Sequence, residues 1–437
     1  MATFDFDAVV VGGGVAGACT AALMAKAGFN VCLLDQRIPN PPDDETSARV
    51  VALSLGSQRI LNHAGAWSLL GEEHATAYGE MRVESGQGVL RFRADEHGLP
   101  ALGWIVEIPR IQHALWTVLK DHPKVSIQAP SHWHDWSPIE GGIKIRLADE
   151  KGDLTASLTT RVLIGADGAQ SRLRQSAGIE TTQWDYNQRA LIGPVTTETP
   201  NPGMAWQRFT PLGPLALLPL PDGQSSIVWS ITNTEADRLA KLDPQALVET
   251  INEVLVESHP HASKTHPTLD PITPMGALAQ LHQAHWLPLK RIRADRLIGN
   301  PDQGPLVLVG DAGHSVHPLA GQGLNMGLAD AAALVECLNA ADQTKNMDSE
   351  QPWQKALVRY NRWRLSASTL NASGIHFINE ISRAPMGLGK HSLGLSFMVA
   401  NRLWPVREAM IQKACGIDRD SPALAQGGQP KTSPSAK

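Results

Sequence analysis

At 437 residues the chain is long enough for two linked lobes or one large one. Its 42% hydrophobic and 19% charged residues are ordinary globular composition, and a net charge of −5 leaves no basic surplus of the kind a nucleic-acid binder carries. Cys19, Cys32, Cys337 and Cys415 are scattered and form no CxxC pair, which argues against a zinc site or disulfide framework and for a reducing, cytosolic setting.

In chain order, residues 7–11 (Asp-Ala-Val-Val-Val) predict a buried strand. Residues 15–27 predict an Ala-rich helix with Gly28 as its stop, and 30–34 a second strand, together a βαβ unit. The run from Ala8 to Ala25 is uncharged, like a signal or membrane segment. However, Asp5 and Asp7 stand where a signal peptide carries Lys or Arg, and Gly12, Gly13, Gly14 and Gly17 interrupt it. No other uncharged run approaches the roughly 20 residues of a spanning helix, so a soluble protein is expected.

Residues 39–47 read as a loop, 49–62 as a helix, 79–93 as sheet, 110–121 as a helix and 124–128 as a strand. Alternation over 140–164 runs into the turn at 165–168. Residues 186–232 read as strands, 236–257 as a helix, 305–310 as a short buried strand and 323–340 as a helix. Residues 353–382 and part of 391–414 read as helical. The stretch 419–437 is rich in Pro, Gly, Ser and Gln and reads as disordered. There is no internal repeat.

Three motifs carry chemistry. The first is Gly12-Gly13-Gly14-Val15-Ala16-Gly17, a GxGxxG between a strand and a helix. Gly12 permits the tight turn, Gly14 lets a pyrophosphate approach the backbone and Gly17 lets helix and strand pack closely. The helix start then offers free N–H groups and its dipole to the phosphates. Asp35 closes the second strand 21 residues past Gly14, where a carboxylate accepts from a ribose diol and repels a 2′-phosphate. Gln36 and Arg37 follow it as further cofactor candidates. The second motif is Gly165-Ala166-Asp167-Gly168-Ala169-Gln170-Ser171-Arg172-Leu173-Arg174, a strand-Asp-Gly turn that by spacing alone is more often structural. The third runs from Val309 to Gly327. Its strand ends at Gly310-Asp311, with a carboxylate suited to a polyol hydroxyl, and Gly321-Gln322-Gly323-Leu324-Asn325 opens a helix whose positive end suits an anion. His314 and His317 are three apart, but no third ligand is near and Pro318 follows directly, so no metal is expected.

The three motifs in this order resemble the single-component FAD aromatic hydroxylases of the para-hydroxybenzoate hydroxylase type. That resemblance implies that the first motif holds the ADP part, that Asp167 serves FAD and the nicotinamide donor, and that Asp311 holds the ribityl chain. To about residue 417 the chain further resembles the ubiquinone-biosynthesis hydroxylases. The likeness is carried by Arg49 to Ser54, Gly103 to Glu107, Leu115-Trp116, Gln183 to Tyr186, Trp206 to Pro214, Leu217 to Leu220 and His317 to Asn325. It implies that Arg49, Arg110 and Gln112 also contact FAD. The chain departs from that pattern at Ile108-Pro109 before Arg110, and at Gly313, where alanine is frequent.

The fold implied is α/β: a Rossmann-like FAD-binding domain with an inserted mixed β-sheet substrate domain and a C-terminal helical region. The FAD-binding parts span 1–75, 101–185 and 286–345, the substrate sheet 76–100 and 186–285, the C-terminal helices 346–418 and the disordered tail 419–437. The activity implied is hydroxylation of a polyprenylated phenol or quinol ring, with C5 or C6 favoured by Gln183 to Tyr186 and Trp206 to Pro214. NAD(P)H would reduce the flavin as a transient co-substrate, O₂ would add at C4a, and the protein would exclude water. The protein need not supply a nucleophile, and the sequence names no acid or base; His317 and Pro318 are the candidates near the ring, with helix-start packing the competing role. Phe209 and Leu215 to Leu220 either line a prenyl slot, worth about 0.8 kcal/mol per buried CH₂, or are core. The tryptophans, including Trp353 and Trp363, read first as core, and Arg402 to Arg407 as an interfacial patch on a cytoplasmic protein at the inner membrane or in a biosynthetic complex. The alternatives are another FAD aromatic hydroxylase, a flavin halogenase or prenyl reductase (the WxWxIP segment of a halogenase is absent), and a flavin-bound scaffold subunit.

Overall fold

The computed structural model describes residues 3–43, 47–86, 88–149, 151–258, 273–315, 322–343, 352–382 and 404–428. Strand β1 (Phe6–Val11), helix α1 (Val15–Lys26) and strand β2 (Val31–Leu34) form the expected βαβ unit. The uncharged run is therefore a buried strand, a glycine turn and an Ala-rich helix. Among the described residues, no helix is long and apolar enough to cross a membrane.

The helix expected over 49–62 is instead a strand followed by a shorter helix. Strand β3 (Val50–Ser54) begins with two β-branched valines, and helix α2 (Leu55–Ala64) starts only after Ser54, whose hydroxyl accepts from the Ser57 N–H. Gly65 ends α2 in the left-handed region at φ 90°. Strands β4 (Ala75–Tyr78), β5 (Glu80–Ser85), β6 (Gly88–Arg93) and β7 (Gly103–Glu107) follow, then helix α3 (Ile108–Lys120) with Pro109 in its first turn. Next come β8 (Val125–Gln128), β9 (His132–Ile139), β10 (Gly142–Ala148), β11 (Leu154–Gly165) and α4 (Arg172–Ser176).

Strands β12 (Thr181–Thr197), β13 (Met204–Thr210), β14 (Gly213–Pro219) and β15 (Ser225–Thr232) occupy the strand-like middle. The single helix expected over 236–257 is two, α5 (Asn233–Leu239) and α6 (Pro244–Glu257). Asp243 caps the second by accepting from Ala246 N–H, and Pro244 takes its first position. The chain continues through β16 (Leu278–Leu281), β17 (His285–Ala294), β18 (Leu306–Leu308), β19 (His314–Ser315), α7 (Gln322–Gln343), α8 (Pro352–Ser382) and α9 (Trp404–Ala414).

Among the described residues, one sheet runs β8-β2-β1-β11-β10-β9, with β18 also paired to β11. Its β8, β2, β1, β11 and β18 are parallel neighbours. A second sheet runs β19-β17-β12-β15-β14-β13-β5-β6, and β3, β7 and β4 form a third. The largest apolar cluster packs α1, α3 and α7 against the first sheet, and a second packs α6 against one face of β12, β14 and β15.

The tail expected to be disordered from 419 is instead packed over 419–428. Ala423, Leu424 and Ala425 are buried, Arg59 donates to Ala425 O at 3.1 Å, Ala423 N–H donates to Glu336 Oε2 at 3.0 Å, and Trp363 donates to Asp420 O at 2.8 Å. A short apolar triplet inside polar composition packs against α2, α7 and α8 once those helices exist. Residues 429–437 lie outside the described residues.

Candidate active site

The three motifs meet because their strands are neighbours in register. Val11 pairs with Gly165, and Gly165 pairs with Leu308 on its other side. The turns after β1, β11 and β18 therefore leave the same edge of the sheet, at the carboxyl ends of parallel strands. That edge is where open α/β sheets bind ligands.

The first turn is packed too tightly for any other residue at two positions. Gly12 has φ 105°, and a Cβ there would lie 2.4 Å from Ala166 O. A Cβ on Gly17 would lie 1.9 Å from Gly12 O. At Gly14 a Cβ would meet nothing within 4 Å, because that position opens onto a cavity. Gly14 precedes α1 without a side-chain cap, so the first amides of the helix are left for a ligand.

Asp35, Gln112 and Trp116 build the turn from behind. Gly13 N–H donates to Asp35 Oδ2, Arg37 N–H donates to Asp35 Oδ1 at 2.8 Å, and Gly13 O accepts from Gln112 Nε2 at 2.9 Å and Trp116 Nε1 at 2.7 Å. Gln112 also reaches the cavity wall. Trp116 was not singled out as a site residue. The available signal was its spacing, one helical turn beyond Gln112 on α3. Gln36 and Arg37 are exposed beyond β2. Arg49 lines the cavity, whereas Arg110 lies 3.4 Å from Glu107 and donates to Asp43 O at 3.0 Å, away from the cavity wall.

The second turn places Asp167 with one oxygen used and one not. Oδ2 accepts from Leu173 N–H at 3.1 Å, and the buried Oδ1 has no partner among the described residues. Arg174 ties this turn to the third, donating to Ala169 O at 3.0 Å and Ala312 O at 2.8 Å. Burial pushes its guanidinium below its ordinary value, against the pull of Asp167.

In the third turn Asp311 is exposed on the cavity it lines. Desolvation by the protein packed behind it raises its carboxyl above the usual range; His314 opposes the rise and Asp330 adds to it. Gly323 and Leu324, at the start of α7, also line the cavity. Asn325 does not. It bonds Ser54 N–H and Ala52 O instead and, with Gln322, borders a second cavity on the far side of α7. His317, Pro318 and Gly321 lie outside the described residues. Arg174 falls inside the second motif, which assigns it no role; sequence reading misses Asp330 and Arg364, because nothing local marks a helix residue that contacts a turn from another part of the chain.

The cavity holds about 620 Å³, within the roughly 300–1,000 Å³ of small-molecule sites. From the three turns it extends over the face of the second sheet that α6 does not cover. Strand alternation divides the predicted prenyl slot: Ala216 and Leu218 line the cavity, while Leu215 and Leu217 are buried against α6. Ser226, Val228 and Ser230 face it from β15 as Ile227, Trp229 and Ile231 face the core. Phe209 is core. Leu287, 44% exposed, stands at its mouth. Among the described residues, no group of three or more metal-binding side chains assembles.

Residues 5–348 match the FAD binding domain family. The chain is 31% identical over 425 residues to the 3-demethoxyubiquinol 3-hydroxylase of Escherichia coli, covering 94% of this chain and 98% of that protein. It is 30% identical over 438 residues to the mitochondrial ubiquinone biosynthesis monooxygenase COQ6 of Xenopus tropicalis, covering 93% and 92%. Its fold matches the p-nitrophenol 4-monooxygenase PnpA of Pseudomonas putida with a TM-score of 0.69 at 18% identity, over 94% of this chain and 98% of that one.

Proposed function

From the premise that this chain belongs to the family of FAD-dependent ubiquinone-biosynthesis hydroxylases, we propose that it hydroxylates a polyprenylated phenol or quinol ring, with C5 or C6 favoured. The observation that carries this is the convergence of three turns on one cavity that continues onto an apolar sheet face. FAD is the cofactor. When bound and reduced by NAD(P)H, it supplies the O₂ activation that ring hydroxylation needs.

The residues present fit that cofactor. Gly14 leaves room for a diphosphate at the uncapped start of α1, and Asp311 offers a carboxylate to a polyol. Asp167 Oδ1, buried and without a partner among the described residues, is an acceptor for it. In this reading Gly14, Val15, Ala16, Arg49, Gln112, Asp167, Asp311, Gly323 and Leu324 hold FAD directly, and Gly12, Gly13 and Gly17 let the turn close beneath it. Asp35 and Trp116 shape the glycine turn. Ala216, Leu218, Val228 and Leu289 hold the ring and the start of its prenyl tail, and exclude water from them. A cavity of this size cannot enclose flavin, ring and a long tail together, so the tail leaves past Leu287. A partner so apolar favours work at the inner-membrane surface or in a biosynthetic complex.

Two measurements test the reading. Purified protein should be yellow with a flavin spectrum, and colourless protein that takes up no FAD would overturn it. Complementation of strains each lacking one ring hydroxylase, with quinone intermediates read by mass spectrometry, should restore one strain and identify the carbon; rescue of none would remove the substrate assignment.

A further inference from the structure

The turn that carries Asp311 is held at both ends by one oxygen. Asp330 Oδ2 accepts from Gly310 N–H at 3.1 Å and lies 2.6 Å from His314 Nε2, so the residues on either side of Asp311 converge on it. Its other oxygen accepts from Arg364 Nε at 2.6 Å, and Arg364 also donates to Met326 O at 3.3 Å. One carboxylate on α7 thus gathers the turn and α8. Arg174 holds the middle of the turn through Ala312 O.

This arrangement is expensive. Asp330 is fully buried on α7, where Leu328, Ala331, Ala332 and Leu334 around it are buried as well. Replacing a buried ionic group with well-packed apolar side chains is often neutral or stabilising, so fold stability alone does not call for it. What the carboxylate supplies is a fixed turn and an oriented imidazole. His314 is 3% exposed, its Nδ1 has no partner among the described residues, and its ring acts electrostatically on Asp311.

We propose that Asp330 and His314 form a positioning pair for Asp311: Asp330 fixes the turn through Gly310 N–H and through the His314 ring, and the turn held in this way presents the Asp311 carboxylate to the ligand's hydroxyls. This rests on the flavin reading of the cavity. Among the described residues, the ionisable groups that act on Asp311 are His314 and Asp330. Arg364 and Arg174 act at one remove, as does Tyr360, which donates to Leu308 O at 2.9 Å. Burial raises the Asp311 carboxyl, His314 lowers it and Asp330 raises it. A proton on Asp311 removes the anionic acceptor, so FAD affinity is present at high pH and lost as pH falls through this raised value.

The test is the FAD dissociation constant, read by flavin fluorescence across pH, for wild type, His314→Gln, Asp330→Asn and Asp311→Asn, with circular dichroism as the folding check. His314→Gln keeps a donor toward Asp330 but no charge. Its acid limb should move upward by about one unit, the shift an adjacent charge gives. Asp330→Asn should lose about tenfold in affinity at high pH, above the acid limb. Asp311→Asn should lack the limb. An unmoved limb in His314→Gln, with affinity unchanged or lowered uniformly, would leave His314 a packing residue and overturn the proposal, as would an intact limb in Asp311→Asn. If Asp330→Asn fails to fold, the two remaining variants still decide. Wild type that binds no FAD at any pH would sink the flavin reading and this proposal with it.

Discussion

Ser54 and Asn325, 271 positions apart, share a buried hydrogen bond: Ser54 N–H donates to Asn325 Oδ1 at 2.9 Å. Asn325 Nδ2 donates in turn to Ala52 O at 2.8 Å. A residue marked by sequence as a cofactor ligand therefore joins β3 to α7, next to the cavity rather than in its wall. Asn325→Leu leaves Ser54 N–H and Ala52 O without these partners. The expected loss is about 1–3 kcal/mol of stability, measured by denaturant unfolding of the apoprotein. Unfolding at the wild-type midpoint would show that these bonds add nothing.

Gly14 and Gly17 separate binding from folding. Gly17→Ala forces a methyl onto Gly12 O and should lower the melting temperature of the apoprotein, by the roughly 1–3 kcal/mol of an overpacked site or more. Gly14→Ala meets no protein atom, so it should fold normally and lose FAD affinity, since its methyl stands where the ligand approaches. Normal affinity in Gly14→Ala would move the diphosphate elsewhere.

Asp311→Ala should act in opposite directions on the two forms of the protein. The folded carboxyl is raised above its unfolded value, so its ionised form opposes folding at neutral pH, and removing it should raise the melting temperature of apoprotein. The same change should weaken FAD binding and reduce ligand stabilisation, which is about 2.7 kcal/mol at a hundredfold excess over Kd. Differential scanning fluorimetry with and without FAD reads both. A variant with wild-type FAD affinity removes Asp311 from the site.

Neighbouring residues of β14 should divide activity from stability. Ala216 faces the cavity and Leu217 the α6 core. Ala216→Trp should retain FAD and the fold but lose hydroxylation of the prenylated ring. Leu217→Ala should cost about 2–5 kcal/mol of stability with little change in turnover per folded molecule. Equal activity losses in both would contradict the alternation.

The cysteines should be inert in the folded protein. Burial pushes the thiols of Cys19 and Cys32 up to about 12, and those of Cys337 and Cys415 up to about 11. Thiolate, the reactive form, is then scarce at pH 8. A thiol-labelling reagent should modify all four only after denaturation, and rapid labelling of native protein would contradict their burial.

Local chemistry made the chain's organisation legible. The strand, glycine turn and helix at 6–26 follow from apolar runs and from glycines needed wherever backbone meets backbone, and Asp35 and Asp311 stand out as acids at strand ends. Where one residue governed a boundary, periodicity missed it. Ser54 delays α2, and Asp243 with Pro244 divides the helix expected over 236–257. Composition likewise misread Ala423 to Ala425, because their burial surface is made by other helices. Tertiary structure alone decided that Val11, Gly165 and Leu308 lie side by side, that Leu217 is core while Ala216 is cavity, and that Arg174 and Asp330 hold the turn of Asp311. The physical reason is that sequence spacing reports which residues share a strand face or a helix side. Which face meets a core, a cavity or a distant turn is set by strand order and helix packing, through contacts that span from 16 residues of chain, between His314 and Asp330, to 271, between Ser54 and Asn325.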